Sequence, residues 1–121
     1  MIGKPYRSYV AIGDSLSEGL GDFTFNLDRH YNGWTDRLAC IMAKEAQDAG
    51  YEFHYANLAL RGSKLEKIMT GQLYKALALQ PDLVTVMAGS NDLLSKEETM
   101  LKLRDSYRQG LHQLLAAGAD V

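Results

Sequence analysis

Cysteine is nearly missing from this chain of 121 residues, with Cys40 the only one. No intrachain disulfide can form, so a reducing compartment, the cytoplasm, is the expected setting. Lying mid-helix among apolar neighbours, Cys40 itself is expected to be a small packing residue. Long hydrophobic runs are also missing: nothing approaches the ~18 apolar residues that a membrane span requires. The start, Met1-Ile2-Gly3-Lys4-Pro5-Tyr6-Arg7, is basic, but no apolar stretch of signal-peptide length follows it. An excess of charge of one sign is lacking too. A net charge of −2 leaves no basic face for non-specific nucleic-acid binding. Internal repeats, low-complexity tracts and interdomain linkers are absent, so residues 1–121 are expected to form a single domain. No two histidines share a helix face or a metal-ligand spacing, and neither metal nor cofactor is expected.

What is present is the composition of a folded globular domain, 46% hydrophobic and 23% charged, which excludes general disorder. Ser8 to Ile12 is too apolar and β-branched for a loop and too short for a helix, so it reads as a strand. A long polar loop, Asp14 to Asn32, leads to a helix over Trp34 to Ala49. Its expected buried stripe is Trp34, Leu38, Ile41 or Met42, and Ala46, with Gly50 as the C-terminal cap. A second strand follows at Phe53 to Leu58. Ser63-Lys64-Leu65-Glu66 has the pattern of a capping box opening a second helix, which Gly71 is expected to interrupt before Leu73 to Leu79. Pro81-Asp82 turns the chain into a third strand, Leu83 to Met87. Ser95-Lys96-Glu97-Glu98 is another capping-box pattern, and Met100, Leu103, Tyr107, Leu111 and Leu114 give the third helix its stripe. Ala117 to Val121 reads as a helix exit and the start of a fourth strand. Such alternation, with near-continuous apolar strands, implies an α/β fold: a parallel sheet covered on both faces.

Each strand runs into a short polar loop. Tyr9-Val10-Ala11-Ile12 is followed by Gly13-Asp14-Ser15-Leu16-Ser17, the second strand by Ala59-Leu60-Arg61-Gly62, and the third by Gly89-Ser90-Asn91-Asp92. A serine, a glycine and an asparagine at strand ends are the parts of an acyl-transfer site, except for its base. Taken singly, each is an ordinary turn residue. Gly-Asp-Ser-Leu, Asn-Leu-Ala-Leu-Arg-Gly and Gly-Ser-Asn-Asp, in this order and at these places, resemble the first three sequence blocks of the SGNH (GDSL) hydrolase superfamily. The likeness runs from about Tyr9 to Val121. It includes the entry Tyr31-Asn32-Gly33-Trp34 and the approach Gln80-Pro81-Asp82-Leu83-Val84, both similar to intracellular bacterial members. The family's fourth block, Asp-x-x-His, is absent. The resemblance implies a three-layer flavodoxin-like fold with strand order 2-1-3-4-5, which sets the three loops side by side at the switch point where ligands bind.

It further implies Ser15 as nucleophile, and the backbone N–H groups of Ser15 and Gly62 with the Asn91 amide as oxyanion donors. Fixed donors aimed at the oxygen that gains charge are what ester cleavage needs. Ser17 fits a turn hydrogen bond, and Asp14 and Asp92 fit loop-fixing roles. A serine needs a histidine to take its proton. None of His30, His54 and His112 has an aspartate three residues earlier, and only His30, in the long loop, is placed to reach Ser15. The expected activity is hydrolysis of a small-molecule ester or thioester, with the base beyond Val121. The chain is accordingly expected to be the N-terminal part of a longer domain, or a short protein that completes its sheet by self-association. Two other readings stand beside it. One is a flavodoxin-like phosphate- or nucleotide-binding domain, against which Asp14, Glu18 and Asp22 crowd the first loop with negative charge. The other is an inactive interaction module of the same fold.

Overall fold

Four successive residues, Tyr9, Val10, Ala11 and Ile12, are wholly buried, which is possible only for a strand covered on both faces. They belong to β1 (Ser8–Gly13), the centre of a parallel sheet described by a computed structural model of residues 5–20, 32–93 and 95–121. On one side β1 pairs with β2 (His54–Asn57), Ser8 opposite His54 and Ala11 opposite Asn57. On the other it pairs with β3 (Leu83–Met87), Tyr9 opposite Leu83 and Gly13 opposite Met87. A parallel bridge from Leu83 to Asp120 places the start of a fourth strand outside β3. The order 2-1-3-4 is the one expected from sequence.

The helices divide between the faces as right-handed crossovers require. Helix α1 (Ser15–Glu18) is one turn at the end of β1, and α2 (Trp34–Ala49) covers one face, with Ala39 and Met42 against Tyr9 and Ala11. The opposite face carries α3 (Leu65–Lys67), a π-helical turn (Ile68–Gln72), α4 (Leu73–Ala78) and α5 (Glu97–Ala116). There Leu65, Ile68, Leu73 and Leu114 pack on Val10, Ile12 and Val84. Each such side chain contributes about 1.5–3 kcal/mol by leaving water.

Several local expectations are corrected. Of the expected α2 stripe, Met42 and Ala46 are buried and Leu38 packs partly buried on the core, joined by Thr35 and Ala39, whereas Trp34 is 41% and Ile41 61% exposed. Small residues in that stripe let the helix lie close to the sheet, and Thr35 spends its hydroxyl on the Ser17 carbonyl, 2.9 Å away. Cys40, next to Ala39, is therefore exposed rather than a packing residue. Neither Ser-x-x-Glu pattern forms a capping box. The helices begin after Lys64 and Lys96, with no side-chain cap bond at either. The first N–H of α3, that of Leu65, donates instead to Asp92 Oδ2 at 2.9 Å, from a loop distant in sequence. Around Gly71 the helix does not break: one turn widens into the π form, and the chain continues helical into α4. Gly50 does cap α2, in the left-handed region at φ 81°. His30 and most of the long polar loop lie outside the described residues.

Candidate active site

The three polar loops meet at the carboxyl end of the sheet, tied to one another by side chains. Gly13 ends β1 at φ 152°, and a Cβ there would lie 2.4 Å from the Met87 carbonyl, so only glycine fits. The next residue, Asp14, is 1% exposed and caps α1, its Oδ1 accepting from the Leu16 N–H at 3.1 Å. Ser15 follows as the first residue of that turn and is half-buried. Ser90 of the third loop donates its hydroxyl to Asp14 Oδ2 at 2.6 Å. The loop holding the serine and the loop holding the asparagine are thus joined through one carboxylate.

The second loop is held just as firmly. Asn57, last residue of β2, donates to the Ser17 carbonyl at 2.8 Å and accepts from the Ala59 N–H at 3.1 Å. The Leu60 N–H donates to the Gly13 carbonyl at 3.2 Å. Glu18 takes both the backbone N–H of Arg61 at 2.9 Å and its guanidinium at 3.2 Å. Gly62 then adopts φ 71° with open space where a Cβ would stand. Its requirement for glycine is conformational, and the open side leaves its backbone approachable. Three residues later begins the helical run of α3, the π turn and α4, with Gly62 just before its N-terminus.

Asn91 lies in a 3₁₀ turn, Ser90–Asp92, and is exposed. Its Nδ2 donates to the Ser63 carbonyl, next to Gly62, at 3.0 Å. An amide nitrogen carries two hydrogens, so one remains for a ligand. Asp92 is 4% exposed and is spent on Leu65, as a loop-fixing role requires. Ser17 departs from expectation: its hydroxyl is buried without a hydrogen-bond partner among the described residues, and its carbonyl carries the turn contacts. Beneath α1, the Tyr55 hydroxyl donates to Asp36 Oδ1 at 2.6 Å. Burial first, and that hydrogen bond second, raise the Tyr55 pKa above the ordinary tyrosine value.

The structure thus brings the loops of Ser15, Gly62 and Asn91 together. It brings neither described histidine to them. His54 pairs with Ser8 at the opposite end of the sheet, and His112 is exposed on α5. No metal-binding cluster occurs among the described residues. Sequence reading missed Ser90, Asn57, the Glu18–Arg61 latch and Gln72, whose side-chain amide bonds both the N–H and the carbonyl of Gly13 at 2.8 and 3.0 Å. Asn57 and Arg61 lie inside the second block and Ser90 inside the third, but Glu18 and Gln72 carried no signal.

Among curated proteins, none matches this chain. Solved structures do. TesA is 27% identical, with a TM-score of 0.67 over 94% of this chain and 57% of its own. AlinE4, an SGNH-hydrolase family esterase, is 23% identical, with a TM-score of 0.63 over 96% of this chain and 56% of its own. The psychrotrophic esterase EstA from Pseudoalteromonas sp., solved in a form inhibited by monoethylphosphonate, is 20% identical, with a TM-score of 0.61 over 93% and 56%. The chain therefore spans little more than half the length of these proteins. The model of the GDSL-like lipase/acylhydrolase family matches residues 11–121, nearly the whole sequence, and the chain belongs to that family.

Proposed function

We propose that this chain carries the nucleophile and oxyanion donors of a serine hydrolase that cleaves small-molecule esters or thioesters. One observation carries the reading: Ser15, Gly62 and Asn91 stand on three strand-end loops joined by the Asp14–Ser90 and Asn91–Ser63 hydrogen bonds. Ser15 Oγ attacks the acyl carbon, and a histidine takes its proton. The carbonyl oxygen gains charge between the N–H groups of Ser15 and Gly62 and the Asn91 amide. Fixed donors of this kind need no reorganisation as the reaction proceeds. Collapse expels the alcohol or thiol with the proton returned by the histidine, and water then releases the acid by the same steps in reverse.

Neither described histidine reaches the loops, so the base in this reading is a histidine of an Asp-x-x-His block, as the family resemblance implies, with His30 as the in-chain alternative. No cofactor enters these steps. The phosphate-binding reading loses ground at the first loop, where Asp14 is buried against the loop backbone and Glu18 already occupies the Arg61 guanidinium. A single cysteine suits a cytoplasmic enzyme. The test is hydrolysis of short-chain p-nitrophenyl esters by the native protein and its Ser15→Ala variant. Loss of turnover to background in the variant, with its circular dichroism unchanged, supports the reading. Equal turnover in both refutes it.

A further inference from the structure

Gln72 sits in the only π-helical turn among the described residues, and its side chain reaches out of that turn to Gly13, at the end of the strand that leads into Ser15. The Leu73 N–H bonds to the Ile68 carbonyl, five residues back, which widens the turn. Ile68, Met69, Gln72 and Leu73 consequently all face the core, and a polar residue stands among apolar ones. Gln72 is 6% exposed, and its amide is fully engaged there. Oε1 accepts from the Gly13 N–H at 2.8 Å, Nε2 donates to the Gly13 carbonyl at 3.0 Å, and Nε2 lies 3.4 Å from Ser63 Oγ. A side-chain amide here does what a neighbouring strand does, pairing both backbone groups of one residue. It also links that residue to the one following Gly62. Single-turn π distortions are frequent at functional sites.

The geometry points to Gln72 as a positioning residue for the hydrolase reaction proposed above, on which this inference rests. By clamping the Gly13 peptide, it fixes where the chain turns into Asp14 and Ser15 and holds the nucleophile in register with the Gly62 loop. Apolar packing alone does not account for it, because a methionine or leucine fills the same space without an amide. The titratable groups on the adjoining loops are committed elsewhere, Asp14 to Leu16 and Ser90, and Asp92 to Leu65.

The test uses the native protein with Gln72→Met and Gln72→Glu, each checked for folding by circular dichroism, and a short-chain p-nitrophenyl ester. Methionine removes both hydrogen bonds and keeps the volume. Since small displacements of a reacting group are costly, kcat should fall roughly ten- to hundredfold with KM little changed. A glutamate carboxylate accepts from the Gly13 N–H but cannot donate to its carbonyl, whereas the neutral acid does both. The rate of Gln72→Glu relative to the unsubstituted protein should therefore climb as pH falls from about 8 to about 5, through the range of a buried carboxyl. The relative rate of Gln72→Met should stay flat. A folded Gln72→Met within twofold of the unsubstituted kcat overturns the inference, and so does a flat pH ratio for a folded Gln72→Glu. If the carboxylate prevents folding, Gln72→Met alone decides. Absence of Ser15-dependent turnover in the unsubstituted protein overturns the hydrolase reading and this inference with it, and is seen before any substitution is made.

Discussion

Asn91 tests the chemistry at the scale of one side chain. Its amide already donates to the Ser63 carbonyl, so the group is held in place before any substrate arrives. If the second hydrogen meets the developing oxyanion, Asn91→Ala should lower kcat by roughly 10²–10³-fold. KM should change far less, because the bond strengthens mainly in the transition state. Steady-state kinetics on a p-nitrophenyl ester measures both, and a loss below about fivefold would reduce Asn91 to a turn residue. Tyr55 tests the scaffold under the nucleophile. Its folded-state pKa is raised, by burial and by donation to Asp36, so its contribution to stability is complete below the unfolded value of about 10. It is lost as pH rises through that value towards the folded one. Thermal unfolding followed from about pH 8 to 11 should show a Tm that drops at the alkaline end, with a smaller drop in Tyr55→Phe. Equal slopes in the two proteins would contradict the assignment. The residues with chemistry in their names were legible in the sequence. Ser90 and Gln72 were not, because their roles depend on partners 76 and 59 positions away.

At the scale of elements, period and composition located the strands and long helices of the described residues, and most clearly β1, whose burial on both faces leaves an unbroken apolar run. They placed the buried face of α2 only in part. In α2 the apolar residues Trp34 and Ile41 are exposed, whereas Ala39, Met42 and Ala46 are buried and Leu38 packs on the same cluster. This yields a paired prediction. Met42→Ala should cost about 2–5 kcal/mol as a cavity in the core. Ile41→Ala one position earlier should stay within about 0.5 kcal/mol. Urea unfolding of the two variants checks it, and comparable losses would mean that α2 is rotated. Capping failed for a related reason. The Ser63 pattern has the right spacing, but the Leu65 N–H is satisfied by Asp92 from another loop, a tertiary partner that local sequence does not show. The π turn was visible only as a misplaced glycine at position 71, read as a break.

At the scale of the whole molecule, the sheet has β1 at its centre and the candidate site at its carboxyl end, the switch point where open α/β sheets bind ligands. On its outer side β3 pairs at one position, Leu83 with Asp120, and Met87 is 41% exposed near the other end. Such an edge attracts strand pairing. The chain should therefore associate beyond a monomer in sedimentation velocity. A monodisperse monomer would contradict this expectation, and turnover abolished by His30→Ala would assign the base to the long polar loop. The central claim, that Ser15 is the activated nucleophile of this site, is met most directly by covalent trapping. The native protein treated with an alkyl phosphonate ester carrying a good leaving group should gain one phosphonyl mass, and peptide mapping should place it on Ser15. A protein that stays unmodified, or an adduct on any residue other than Ser15, would contradict the account.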